Sequence, residues 1–270
     1  MTSHTSSVSF LENLTDITPQ NILTRLTKEV ICEASFCLKN VTHHTPLLEM
    51  PWLSHKIKGN AFLKLENMQN TGSFKTRGIY IKLLSLSEEE KQRGIITMSA
   101  GNHALGVAYY AQKMGIKATI IMPDNTSITM VENARHYGAS VILQGKNMVE
   151  AKDFALQLMK KHKYTFIHPF NDPYIIAGQG TIGLEMLTEV PDLDVLLVPI
   201  GGGGLAAGIC IAAKAINPNL HIIGVQSEYC AATAEILFPN TLPSDPCYVS
   251  QTLAEGIAVQ FPGELNLAIL

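Results

Sequence analysis

From Gly94 onward, short β-branched runs alternate with helical stretches, and this alternation narrows the possible folds more than any other feature. GIITMS (Gly94 to Ser99) leads into NHALGVAYYAQKMG, and ATIIMP (Ala118 to Pro123) into TSITMVENARHYG. SVILQ (Ser140 to Gln144) leads into NMVEAKDFALQLMKKH, and YTFIHP into a stretch containing IAGQGTIGLEMLTEV. DVLLVPI then precedes LAAGICIAAKAI, and HIIGVQ precedes ATAEILF. Strands this apolar are expected to be buried on both faces, which predicts parallel sheets in an α/β fold. Gly115 and Gly138 stand where helices end, each shortly before a strand. The N-terminal forty residues read as helical, with TPQNILTRLTKEVICEA opening on a cap and an N1 proline. A chain of 270 residues is long enough for one large domain or two small ones.

Composition excludes several functions. The formal net charge is −3 and the basic residues are scattered, so a nucleic-acid partner is not expected. Lys160, Lys161 and Lys163 form the one basic cluster, at the end of a helical run where cations complement the helix C-terminus. The 5 cysteines, Cys32, Cys37, Cys210, Cys230 and Cys247, are odd in number and contain no CxxC pair. That argues against a disulfide frame and against a zinc site, and the apolar setting of Cys210 suggests a buried thiol. The N-terminus has no basic start or apolar core of a secretory signal, and no apolar run is long enough to span a bilayer. A cytoplasmic address and no membrane partner are the expectation. Pro239 to Pro246 reads as a surface loop.

Three motifs carry chemistry. In NTGSFKTRG, Lys75 sits in a polar turn between an expected strand (Ala61 to Leu65) and an expected helix (Thr76 to Ser85). Alone it reads as a solvated lysine at a helix start. Its neighbours change that: Gly72 frees the turn, Ser73 can cap the helix, and Phe74 sets an apolar plane beside the amine. A lysine that attacks an aldehyde must be held and partly desolvated so that its amine is uncharged. SAGNHALG (Ser99 to Gly106) falls at a strand C-terminus and a helix N-terminus, where open α/β sheets bind ligands. Asn102 can offer an amide there; the plainer reading is an N-cap turn with His103 on the surface. GGGGL (Gly201 to Leu205) lies between a strand and a helix, the order of a phosphate nest. It lacks the Walker lysine and the G-x-G-x-x-G spacing of dinucleotide folds. A lysine for an aldehyde and a glycine nest for a phosphate together point to pyridoxal phosphate.

ENMQNTGSFKTRG, SAGNHALGVA, IAGQGTIGLEML and VPIGGGGLAAGI occur here in the order and spacing of fold-type II pyridoxal-phosphate enzymes. From about Thr45 to the last residue the chain most resembles the threonine/serine dehydratases, or threonine ammonia-lyases. The resemblance implies two α/β domains with mostly parallel twisted sheets, like the tryptophan synthase β chain, and the cofactor in the cleft between them. Residues 1–84 and 172–270 would form the large domain, and 85–171 the small one. Lys75 would be the Schiff-base lysine, Phe74 would flank the ring, and Asn102 would bind the ring hydroxyl. Gly201, Gly202, Gly203, Gly204 and Leu205 would hold the phosphate, and Gly256, in TLAEGIAVQFPGEL, would lie against the other ring face. Ser99, Asn102 and His103 would form the loop for the substrate carboxylate.

The implied reaction is dehydration and deamination of L-threonine, or L-serine, to 2-oxobutanoate or pyruvate and ammonia, by a homodimer or homotetramer. Racemases of the family carry a serine before Gly-Asn-His as a second proton base. Ala100 stands there in this chain, which favours elimination. Some relatives bind a cation through acids after the GV strand; Gln226 and Ala232 occupy those positions here, and no metal is expected. Relatives continue beyond the position of Leu270, into a Ser-Gly-Gly segment that meets the pyridine nitrogen. The alternatives are another enzyme of this fold type (serine racemase, threonine synthase or a β-replacement enzyme) or a truncated, inactive remnant.

Overall fold

A computed structural model of the chain describes residues 14–240 and 252–270. Cys247 and most of the Pro239 to Pro246 stretch lie outside the described residues. β1 (Leu47–Glu49) pairs antiparallel with β2 (Phe62–Lys64). β3 (Ile95–Met98), β4 (Ala118–Met122), β5 (Ser140–Leu143) and β6 (Thr165–Phe166) form a parallel sheet in the order β5-β4-β3-β6. β7 (Val195–Pro199) and β8 (His221–Val225) form a separate parallel pair. The alternation in the sequence is therefore a parallel α/β fold.

Local chemistry sets the helix starts. Ser87 and Glu90 make a reciprocal capping box for helix Glu88–Arg93. Asn147 caps Met148–His162, and Asp172, followed by Pro173, caps Pro173–Glu189. Gly115 and Gly138 adopt φ of +68° and +77° just beyond the helices Asn102–Lys113 and Ile128–His136. β3 and β4 are buried almost throughout, as a sheet covered on both faces requires.

Several local expectations need correction. Among its described residues the N-terminal segment makes two helices, Ile22–Arg25 and Lys28–Leu38, and Pro19 is not in the first turn of either. The break at Leu26 buries that side chain completely, beside Leu14 and Ile22, and Thr27 restarts the helix with its hydroxyl on Glu29. Ser73 does not cap the next helix: its Oγ is buried without a partner. β7 is buried on one face alone, and Val195 and Leu197 on the other face are exposed along with Ile223 and Val225 of β8. Helix Gly204–Ile216 packs on the covered side. Among the described cysteines, Cys32 and Cys210 are thiols outside any disulfide, whereas Cys230 is disulfide-bonded, against the expectation of no disulfide.

Helix Pro173–Glu189 organises what matters for the site. It crosses Lys75–Leu84 and Gly204–Ile216 at near backbone contact. A Cβ on Gly178 would fall 2.5 Å from Gly78 Cα, and one on Gly208 would fall 2.3 Å from the Ile176 carbonyl oxygen. These glycines let the helices approach until the start of Lys75–Leu84 and the start of Gly204–Ile216 face one space. No helix among the described residues is long and apolar enough to cross a membrane.

Candidate active site

Lys75 opens its helix, and Phe74 takes the N-cap position. The Lys75 amine donates to the carbonyl oxygen of Pro169 at 2.7 Å and lies 5.4 Å from the Phe74 ring centroid. Burial alone lowers its pKa to about 8, because an ammonium loses its water there. The Pro169 turn is held by His168, whose Nδ1 accepts from the backbone N–H groups of Phe170 and Asn171. Burial pushes the His168 pKa down to about 4, so its ring is neutral, as an Nδ1 acceptor must be.

Opposite the amine, β7 runs into Gly201–Gly204 and then into helix Gly204–Ile216. Gly203 has φ +95°, a conformation that side-chain-bearing residues rarely adopt. The chain also crowds the loop: a Cβ on Gly202 would meet the Phe170 ring at 2.3 Å, and one on Gly203 would meet Asn266 at 2.8 Å. Asn266 is fully buried and donates from Nδ2 to the carbonyl oxygens of Gly202 (2.7 Å) and Phe170 (3.2 Å). Asn171 Oδ1 accepts from Leu265 N–H, tying the same loop to helix Glu264–Ile269. First-turn N–H groups have no intrahelical acceptor, so this helix start presents donors.

Phe74, Lys75, Gly201, Gly202, Gly203, Gly204, Leu205 and Gly256 line one cavity of about 50 Å³, together with Pro169, Phe170 and Gln179. These residues fit a group that is both an aldehyde and a phosphate. A buried amine that is readily deprotonated faces a helix N-terminus built of glycines, where the backbone can come close to an anion. Among the described residues, no cluster of His, Cys, Asp or Glu could hold a metal ion.

The remaining expected residues lie elsewhere. Ser99 accepts from Gly101 N–H, and Asn102 is exposed as the first residue of helix Asn102–Lys113; neither lines the cavity. His103 is buried rather than on the surface, with Nε2 within 3.1 Å of Thr97 Oγ1 and 3.2 Å of the Ile167 carbonyl oxygen. Burial, then the nearby Lys75 charge, lowers its pKa well below the usual value.

Sequence reasoning passed over a buried ion cluster next to Lys75. Arg77, fully buried, donates to both carboxylate oxygens of Glu66 and both of Glu185. Lys64 adds a 2.8 Å contact to Glu185, and Thr45 donates to Glu66. Burial would raise the Glu185 pKa, but hydrogen bonds and charge from Arg77 and Lys64 hold it below the ordinary value. An arginine two residues after an active amine, with glutamates before and far after it, gives no periodic signal. Only the fold brings the three together.

Residues 38–270 match the family described as pyridoxal-phosphate dependent enzyme. The chain is 46% identical over 245 residues to the L-threonine ammonia-lyase of Thermotoga maritima, covering 91% of this chain and 61% of that protein. It is 47% identical over 239 residues to the L-threonine dehydratase catabolic TdcB of Staphylococcus aureus, covering 88% of this chain and 68% of that protein. Among solved structures, maize serine racemase superposes with a TM-score of 0.84 at 32% identity, covering 90% of this chain and 73% of the other. The processed form of threonine deaminase isoform 2 from Solanum lycopersicum superposes at 0.79 with 32% identity, covering 99% of this chain and 68% of the other.

Proposed function

The chain belongs to the pyridoxal-phosphate dependent enzyme family, and we propose that it deaminates L-threonine to 2-oxobutanoate and ammonia, and L-serine to pyruvate and ammonia, by eliminating the β-hydroxyl as water and taking one water back when the resulting enamine is hydrolysed. One observation carries the site: the Lys75 amine and the Gly201–Gly204 loop line a single cavity. The substrate is read from the names of the ammonia-lyase and dehydratase relatives.

When bound, pyridoxal phosphate supplies an aldehyde for the amine and a ring that accepts the electron pair left at Cα. Lys75 provides the amine and, once released, an uncharged Nζ to take the α-proton. Its low pKa makes that proton transfer accessible near neutral pH. The Gly201–Gly204 backbone and the N-terminus of Gly204–Ile216 hold the phosphate. Phe74 and Gly256 line the cavity and would flank the ring. Ser99, Asn102 and His103 serve the substrate carboxylate and the ring edge when the 85–171 unit closes on the large domain, which shuts out water. That unit contains the whole β5-β4-β3-β6 sheet, although its core also takes in Ile79, Leu83 and Ile175 from outside it.

Serine racemisation is the second reading, favoured by the likeness to the maize racemase. Ala100 weighs against it, because a methyl group can deliver no proton to the second face of Cα. The test is 2-oxo acid release from L-threonine and L-serine, with chiral chromatography of the remaining serine. Dehydration predicts 2-oxo acid in the wild type, at most a trace in Lys75→Ala, and little D-serine. D-serine forming as fast as pyruvate contradicts it.

Leu48, Trp52, Leu53, Ile57 and Leu63 form an exposed apolar set on β1, β2 and helix Pro51–Ile57, which suits a homodimer or homotetramer. Light scattering of the purified chain decides that. Cys32 and Cys210 carry thiols, which suits a reducing compartment, whereas the disulfide at Cys230 does not; the cytoplasm is the address we favour.

A further inference from the structure

Gln179 belongs to the IAGQGTIGLEML stretch, to which the proposed reaction assigns no role. Its side chain is 1% exposed, and neither Nε2 nor Oε1 has a hydrogen-bond partner. A buried amide with both ends unsatisfied costs stability, and folded proteins seldom tolerate one. Thr181, the neighbouring buried polar residue of helix Pro173–Glu189, is hydrogen-bonded to Arg77 and to the Gly178 carbonyl, and the residues buried around Gln179 are otherwise mainly apolar or glycine, so a methionine or leucine would fill the same space without that cost. Gln179 also lines the cavity shared by Lys75 and Gly201–Gly204. Its unpaired groups therefore border the space where an amine and an anion-binding loop face each other.

We infer that Gln179 is a further cofactor-binding residue, whose amide donates to the phosphate-bearing group and accepts from the Lys75 side, directly or through one water. The inference rests on the pyridoxal-phosphate reading above. The two ends of an amide match the two chemistries of the cavity: the N–H suits an anion at the glycine loop, and the carbonyl suits an amine hydrogen. An acid would repel the phosphate, and a second base would bring another charge beside Lys75. A neutral group that both donates and accepts does neither. In the cofactor-free protein the same amide is a liability, which is the usual sign of a residue kept for binding.

The test compares wild type with Gln179→Met in two measurements. Titration of the cofactor-free protein with pyridoxal phosphate, followed by absorbance, should give a Kd weaker by about tenfold or more in the variant, the scale of a lost hydrogen bond to a charged group. Thermal unfolding of the cofactor-free variant should rise by a few degrees, because the unsatisfied amide is gone. Weakened binding with a raised Tm separates a binding role from a structural one, which would lower both. Unchanged affinity, or a lowered Tm, overturns the inference. A wild type that does not bind pyridoxal phosphate overturns the cofactor reading itself, and this inference with it. Should Gln179→Met fail to fold, a crystal structure of the loaded wild type decides. An amide with neither cofactor nor cofactor-held water within about 3.5 Å contradicts the assignment.

Discussion

Lys75 has an amine that is worth having only when it is uncharged. With its pKa lowered to about 8 by burial, the neutral fraction grows as pH rises through that value. The rate at which cofactor-free protein takes up pyridoxal phosphate should climb between about pH 7 and 9 and then level off. Stopped-flow absorbance checks this; a rate that rises only near pH 10 would mean that the amine is solvated. The linkage to stability has the same sign. The unfolded lysine, near 10.5, keeps its proton where the folded one has lost it, so raising the pH from about 8 to 10.5 stabilises the fold. Arg77 is a buried cation of the opposite kind: burial disfavours its charge, and the hydrogen bonds and charges of Glu66 and Glu185 hold it. Replacing it with methionine leaves Glu66 without its cation and Glu185 with Lys64 alone, at a cost of about 3–5 kcal/mol. Urea unfolding should show this, and a loss under about 1 kcal/mol would mean that the cluster is as weak as a surface pair.

At the scale of elements, glycine does different work in two places. In the Gly201–Gly204 loop the strand–glycine–helix order was readable directly from sequence. At Gly203, φ +95° and the contact with Asn266 leave no room for a side chain. Gly203→Val should therefore weaken pyridoxal phosphate binding by more than tenfold while far-UV circular dichroism stays near that of the wild type, since the change lies at a loop and not within a core helix. Equal affinity in a titration would reduce the loop to a connector. In the Pro173–Glu189 helix, glycine reads from sequence only as a weak helix former. Its purpose there, near backbone contact with Gly78 and Gly208, emerges once the three helices are placed together. The strand–helix alternation survived translation into structure because periodicity is a local property. The break at Leu26 and the one-sided burial of β7 did not, because both depend on what the rest of the chain covers. For the same reason the lysine and the glycines of the site were legible, while Asn171, Asn266, Gln179 and the Arg77 cluster were not.

At the scale of the whole molecule, two helix starts far apart in sequence, at Lys75 and Gly204, are brought to one cavity by a third helix that both of them cross. Val195 and Leu197 of β7, Ile223 and Val225 of β8 and the apolar set around Trp52 do not line that cavity. The chain spans 61% of the length of its Thermotoga relative, which makes direct chemistry on this chain more informative than inference from relatives. The most direct measurement is to incubate the purified chain with pyridoxal phosphate, reduce with borohydride, digest, and locate the added mass. The label should sit on Lys75 at close to one per chain, and excess inorganic phosphate should slow its attachment. Label scattered over surface lysines such as Lys160 and Lys161, or none at all, would contradict the account.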